Sequence, residues 1–235
     1  MKIYETQESI AVFSDRNDGD LNFYTFDTNL IKEKWENLTA QLPFKVCLPR
    51  YVNQVHKSDI LQITSKSPAS TSSIYADALI TNQKQTPIGV FTADCCPVLI
   101  SSKNAVSATH AGWKSTLKSI ASKTVLKHNE LYGIKPSSLT AYIGPCIGQC
   151  CFELGDEVYE QFVSENNEWE RFFTRKDKWH LDLRGLNRYQ LEKAGIPQNQ
   201  IIDLNECTYC LQDKYFSYRR MKKRNGSMFS FIFLK

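Results

Sequence analysis

Apolar residues recur along the chain in two rhythms. Runs rich in β-branched and aromatic residues, bounded by turn formers, predict strands at 10–14, 45–52, 60–64, 76–81, 88–92, 98–101, 106–110, 139–143, 201–204 and 229–234. A 3.6-residue spacing predicts a helix at 28–42, where Leu30, Ile31, Trp35, Leu38 and Leu42 share one face. The same spacing returns at 115–131 through Leu117, Ile120, Val125 and Leu126, and helices are also expected at 155–165 and 183–194. Gly133 and Gly195 stand where helix stops belong. Strands and helices alternate without regular βαβ units. The expected fold is therefore α/β or α+β, a single domain on a large mixed sheet with flanking helices.

Composition narrows the function classes. A chain of 235 residues fits one domain with a sizeable core. Net charge is only +4, with acids and bases interspersed, and the one dense basic run, 219–224, reads as a solvated hairpin. A nucleic-acid domain would be more basic and more clustered, so no nucleic-acid partner is expected. No run reaches the roughly 18 apolar residues of a membrane span. The start, MKIYETQESIAVF, lacks a basic segment followed by an apolar stretch, so a cytoplasmic location is the expectation. Residues 65–73 form a Ser-rich loop too short for a linker, and there is no internal repeat. Eight cysteines in a long chain without an export signal point to thiols that are reduced, metal-bound or catalytic.

The chain has only four histidines. His128 lies near the end of a predicted helix, where a cationic imidazole suits the C-terminus. His180 precedes another helix and reads as structural. His56, in YVNQVHKSD, and His110, in VSATHAGW, each end an apolar strand, and Gly112 breaks the second strand before a helix. Cys95 lies just after the 88–92 strand, beside Pro97. Functional groups collect at strand ends in open α/β sheets. Two imidazoles and a thiolate suit zinc and leave a fourth position open. Spacing by itself leaves three readings standing: a metal site, a Cys–His nucleophile pair, or packing residues.

A set of motifs extends this reading. NQVH at 53–56, TADCCPVL at 92–99, HAGWK at 110–114, IGPCIGQCCFELGDEV at 143–158 and FSYRR at 216–220 resemble the laccase-domain family, also called the polyphenol oxidase, purine nucleoside phosphorylase or peptidoglycan editing factor family. They follow the family's order from about Val46 onward. The resemblance implies a fold similar to bacterial toxin deamidases that use a Cys–His pair, and a zinc site made by His56, Cys95 and His110. It implies phosphorolysis of adenosine, inosine and methylthioadenosine, with adenosine deamination as a related activity. Copper-dependent oxidation of phenols and a role in editing peptidoglycan precursors are also attached to the family. Three positions depart from its pattern: the N-terminal element survives only as DRNDGD with Arg16, the late Gly-Arg reads Gly226-Ser227, and Lys114 stands where Arg is commoner.

On this basis the expected catalytic residues are Cys95, His110 and Asp94. Asp94 is the candidate proton shuttle for deamination, with the rival role of a carboxylate that orients a histidine. Arg16, Lys114 and Arg219 are candidates for holding phosphate, with surface cations as the alternative. The expected partners are a purine nucleoside and phosphate, in a monomer or small homo-oligomer. Cys96 should face away from Cys95 and join the core. Cys146, Cys150, Cys207 and Cys210 form a conceivable second metal site, against a reading as small apolar groups. A multicopper oxidase needs more than four histidines, and nothing here builds a trinuclear cluster. A cysteine hydrolase would use Cys95 and His110 without metal, and a binding module would tolerate Cys95→Ser.

Overall fold

The computed structural model describes residues 1–42, 46–68, 70–223 and 226–235. In chain order the strands and helices are β1 (Lys2–Glu5), β2 (Ser9–Phe13), α1 (Thr28–Thr39), β3 (Ile60–Ile63), β4 (Ala78–Thr81), β5 (Ile88–Thr92), β6 (Cys96–Ser101), β7 (Val106–Ala111), α2 (Trp113–Leu117) and α3 (Ile120–Tyr132). There follow β8 (Thr140–Ile143), β9 (Glu153–Leu154), α4 (Asp156–Glu165), β10 (Phe173–Arg175), β11 (Trp179–Leu181), α5 (Leu183–Lys193), β12 (Ile201–Asp203), α6 (Tyr218–Met221) and β13 (Met228–Leu234). A six-stranded mixed sheet runs β12-β8-β6-β7-β4-β3, with β12 parallel to β8 and β3 parallel to β4. A four-stranded antiparallel sheet runs β1-β2-β13-β5, and a small one runs β10-β11-β9.

Period-2 alternation sorts the side chains into layers. In β13, Phe229, Phe231 and Phe233 join Ile10 and Val12 of β2 against Trp35 and Leu38 of α1. The intervening Ile232 and Leu234 join Ala11, Phe13, Ile88 and Val90 against Leu79, Leu99, Val106 and Ala108 of the six-stranded sheet. On that sheet's far face, Val98, Ile100, Ala141 and Ile143 meet Ile120 and Val125 of α3, Phe162 of α4, and Leu186 and Leu191 of α5. The result is four layers, helix on sheet on sheet on helices. Strands covered on both faces read as continuous apolar runs, as β5, β6 and β13 do.

The structure departs from the sequence reading in places that have local causes. Residues 46–52 form no strand; Arg50 makes only an isolated bridge to Ile88, and Pro49 lacks an N–H for a ladder. Lys45, at the start of that predicted strand, lies outside the described residues, as do Ala69 of the Ser-rich loop and Arg224 of the basic run. The predicted 115–131 helix is two helices, divided at Ser119, whose φ of 56° interrupts the helical path. Strands β9, β10 and β11 are too short to carry a pattern. His128 is not an exposed cap: it is fully buried in α3, with Nε2 2.9 Å from Ser107 Oγ, and Gly133 closes the helix at φ 65°. Burial pushes the His128 imidazole down to about 4, so it is neutral rather than cationic. His180 is also buried and faces the Gln149 carbonyl at 2.7 Å, as a structural residue would. Among the described residues no helix is long and apolar enough to cross a membrane.

One topological feature positions the chemistry. The chain leaves the four-stranded sheet at the end of β5 and enters the six-stranded sheet at β6, with only residues 93–95 between. Asp94 and Cys95 form this corner. His110 arrives beside it, because β7 pairs antiparallel with β6 and sets His110 opposite Pro97.

Candidate active site

Cys95 is partly buried, and its Sγ lies 3.7 Å from Nε2 of His56. The rings of His56 and His110 meet edge to face, centroids 4.7 Å apart. One donor atom from each of His56, Cys95 and His110 falls within 4.8 Å of the others, so the three predicted ligands converge. A tetrahedral metal of zinc's size has an S···N edge of about 3.6 Å, from bond lengths of about 2.3 and 2.0–2.1 Å. The donor set and its spacing therefore fit a metal.

Asp77, which the sequence reading did not single out, builds this cluster. It is fully buried, and its carboxylate accepts from the amides of Val55, His56 and Lys57 at 3.3, 2.9 and 2.6 Å. The same carboxylate stands 2.8 Å from Nδ1 of His110, and the His110 amide donates to the Asp77 carbonyl at 2.7 Å. Holding Nδ1–H toward a carboxylate leaves Nε2 as the nitrogen open to a metal. Burial would raise the Asp77 carboxyl, but the bonds from His110 and the amides outweigh it and hold it below the usual range. The three amides also hold His56 at φ 58°, a conformation an imidazole side chain seldom adopts unaided. Gln54 completes the frame: its amide donates to the Phe91 carbonyl at 2.8 Å and accepts from the Phe91 N–H at 2.7 Å, tying the 53–57 loop to β5.

The electrostatics are those of a reactive pair. Burial pushes the Cys95 thiol up, yet His110 and His56 outweigh it and bring the thiol down to about 6. Burial pushes the His110 imidazole down, yet the Cys95 thiolate and Asp77 outweigh it and raise the imidazole to about 9. Opposite charges each favour the other's ionised form.

Gly112 makes the cluster sterically possible. A Cβ there would stand 2.8 Å from His56 Cδ2 and 3.0 Å from Cys95 Sγ. Its backbone is unstrained at φ −72°, so the requirement is for space alone.

Asp94 lies beside Cys95, but its carboxylate is engaged elsewhere. Thr208 Oγ1 donates to Oδ1 at 2.6 Å, and Ser217 Oγ and the Arg219 amide donate to Oδ2 at 3.0 and 2.7 Å. Its carbonyl accepts from Ile147 N at 2.9 Å. These bonds hold Asp94 at φ 99° and turn the corner that presents Cys95. The carboxylate that orients a histidine is thus Asp77.

A cavity of about 790 Å³ opens over the cluster. Tyr24, Trp113, Phe152 and Phe216 give it aromatic walls, and Lys114 and Arg219 bring cations. Lys114 Nζ sits 5.4 Å over the Trp113 ring and the Arg219 guanidinium 5.4 Å over Phe152. Thr92 Oγ1, on the same lining, is buried without a hydrogen-bond partner among the described residues. Arg16 is not on the lining: its guanidinium donates to the Gln212 carbonyl at 2.9 Å and stacks 5.6 Å over Phe216. Of the three predicted phosphate holders, the fold brings two to the cavity and leaves the third behind its wall.

The chain is similar to several known proteins. The chain is 39% identical over 188 residues to a purine nucleoside phosphorylase of Clostridium acetobutylicum, spanning 79% of this chain and 76% of that one. It is 37% identical over 164 residues to an adenosine deaminase, RL5, from an unknown prokaryotic organism, spanning 68% and 62%. The crystal structure of a hypothetical protein YfiH from Bacillus licheniformis superposes with a TM-score of 0.88 at 29% identity, covering 97% of this chain and 93% of that one. Relatives with these names support an enzyme of the purine nucleoside phosphorylase kind. The family model described as multi-copper polyphenol oxidoreductase laccase matches residues 14–235, and the chain belongs to that family.

Proposed function

We propose that this chain is a zinc-dependent purine nucleoside phosphorylase, acting on adenosine, inosine and methylthioadenosine, that also deaminates adenosine. The observation that carries the reading is the convergence of His56, Cys95 and His110 on one point in the wall of a cavity that also offers cations and aromatic faces. His56, Cys95 and His110 hold the metal, with Cys95 as thiolate. When bound, zinc supplies an open coordination position that polarises a substrate atom or activates water. Asp77 keeps the proton on Nδ1 of His110 and so fixes its tautomer. Lys114 and Arg219 hold phosphate on one face of the sugar, and the aromatic walls receive the purine. In phosphorolysis a phosphate oxygen bonds to C1′ as the C1′–N9 bond breaks, and the electron pair leaves with the base. Positioning and electrostatics supply most of that acceleration. The saturated hydrogen bonding of Asp94 supports a positioning role for it rather than a proton shuttle.

The thiolate–imidazolium character of Cys95 and His110 favours a second reading, a Cys–His amidase acting on cell-wall precursors. Metal analysis of protein purified without added metal, beside Cys95→Ser, separates the two when paired with a phosphate-dependent adenosine assay. Phosphate-dependent adenine release, lost in the variant together with one equivalent of zinc relative to the wild type, supports the first reading. Protein that is purified without metal in the cavity site and shows no nucleoside turnover when zinc is added back overturns it and favours the amidase. Copper in place of zinc returns the oxidase reading.

A further inference from the structure

Beyond the cavity, we propose that Cys150, Cys151, Cys207 and Cys210 form a second, structural metal site, a tetrathiolate zinc centre that clips two loops together. The four sulfurs all lie within 4.8 Å of one another. Individual separations are 3.4 Å for Cys151–Cys210, 3.5 Å for Cys150–Cys151, 3.6 Å for Cys150–Cys210 and 3.8 Å for Cys150–Cys207. A tetrahedron of sulfurs about 2.3 Å from a central zinc has edges of about 3.8 Å. A disulfide would need about 2.05 Å, and none of these pairs is bonded. Thiols packed merely as apolar groups belong in the core, whereas Cys150 and Cys210 are exposed.

The surroundings fit a thiolate cage. Cys207 and Cys210 are a C-x-x-C pair, and the Cys207 sulfur receives the Gly148 amide at 3.2 Å together with the amides of Tyr209 and Cys210. Amides aimed at a sulfur stabilise its anionic form. Arg220 sets a fixed positive charge on this turn, donating to the carbonyls of Thr208 and Tyr209 at 2.9 and 2.8 Å. Cys150 and Cys151 present adjacent sulfurs to one point because residues 149–151 form a turn, not a strand. Gly148 leaves the room: a Cβ there would lie 3.2 Å from Cys150 Sγ and 3.3 Å from Cys207 Sγ. Cys146, the fourth member expected from sequence, is instead fully buried beside Cys96, and Cys151 takes its place.

Such a centre holds the segment that follows β8 against the segment that follows β12. Backbone bonds already align them, Thr208 N to Cys146 O at 3.0 Å and Cys146 N to Glu206 O at 3.3 Å. Through Thr208 and Ile147 the clip supports Asp94, and through Asp94 the corner that carries Cys95. It acts by positioning, and none of its four cysteines lines the cavity.

The test is zinc-edge X-ray absorption and metal analysis on the full chain carrying Cys95→Ser, which clears the cavity site. One retained zinc with four sulfurs at about 2.3 Å is expected, and its loss in the added Cys207→Ser change supports the assignment. A metal-free Cys95→Ser protein, a shell containing nitrogen or oxygen, or iron in place of zinc overturns it. A count of free thiols in unreduced, denatured wild-type protein guards against a variant that does not fold: missing thiols mean disulfides and also overturn it. Failure of nucleoside turnover would leave all these outcomes unchanged, so the two proposals fail separately.

Discussion

The Asp77 carboxylate lies 2.8 Å from Nδ1 of His110 while accepting the His56 amide at 2.9 Å, so one buried acid sets both imidazoles of the cluster. Asp77→Asn keeps the volume but can turn an N–H toward Nδ1 and reverse the tautomer. Metal affinity in the cavity is expected to fall about 10–100-fold. Competition with a chromogenic chelator measures it; an unchanged affinity would show that Asp77 does not orient the metal-binding imidazoles.

Gly112→Ala tests the steric fit of the cluster. The added methyl has no path except through the His56 ring or the Cys95 sulfur. Turnover is expected to drop by about 100-fold, the order that a misplacement of about 1 Å produces. Stability should fall by only about 1 kcal/mol, since the change otherwise replaces a helix N-cap. A variant that keeps both its metal and its rate contradicts the crowding inferred at this position.

Lys114→Ala and Arg219→Ala should raise KM for phosphate more than they lower kcat, each by about 10–100-fold, the range of a lost hydrogen bond to a charged group. Arg16→Ala should change that KM little, because its guanidinium is bound to the Gln212 carbonyl outside the cavity. Initial-rate kinetics at varied phosphate distinguish them. If Arg16 gives the largest rise, the cavity has been assigned the wrong cations.

His128 makes stability depend on pH. Unfolded, its imidazole takes a proton near 6.5; folded, burial delays this to about 4. Below pH 6.5 the unfolded chain therefore binds more protons, and stability falls as pH drops toward 4. The loss is on the order of 3 kcal/mol for a fully buried group. His128→Gln retains a donor for Ser107 and removes the titration. Urea unfolding at pH 7 and pH 5 should show a smaller drop in the variant; equal drops would mean that other groups carry the acid sensitivity.

Much of the fold was legible because its central strands are covered on both faces and so read as apolar runs. Strands β9, β10 and β11, of two or three residues, offer no period to detect. The break at Ser119 carries no Gly or Pro to announce it. In the site, His56, Cys95 and His110 stood out as ligands within recognisable motifs, although the strand expected to end at His56 is a loop held by Asp77 and Gln54. Asp77 did not, since a single acid in YADALI shows no partner until β4 and β7 pair and bring it to His110. A buried strand preceded by an isolated acid is the one signal that could have pointed to it. Cys151 was missed because nothing in the spacing of IGPCIGQCC chooses between Cys146 and Cys151; only the turn at residues 149–151 brings Cys151 to the other sulfurs and leaves Cys146 in the core.

The four-stranded sheet also bears on how the molecule assembles. Phe13 pairs with Ser230 and Leu234 with Ser9, so β2 finds its partner across nearly the whole sequence, and β13 in turn flanks β5. Closing so long a loop must precede any reward from that pairing, which slows folding. The corner bearing Cys95 follows directly on β5, one edge of which is covered by β13, so its support includes that long-range pairing. Until that pairing forms the Phe229–Phe231–Phe233 ridge is an uncovered apolar face on an unpaired strand, the kind of surface that chaperones bind and that aggregates when they are scarce.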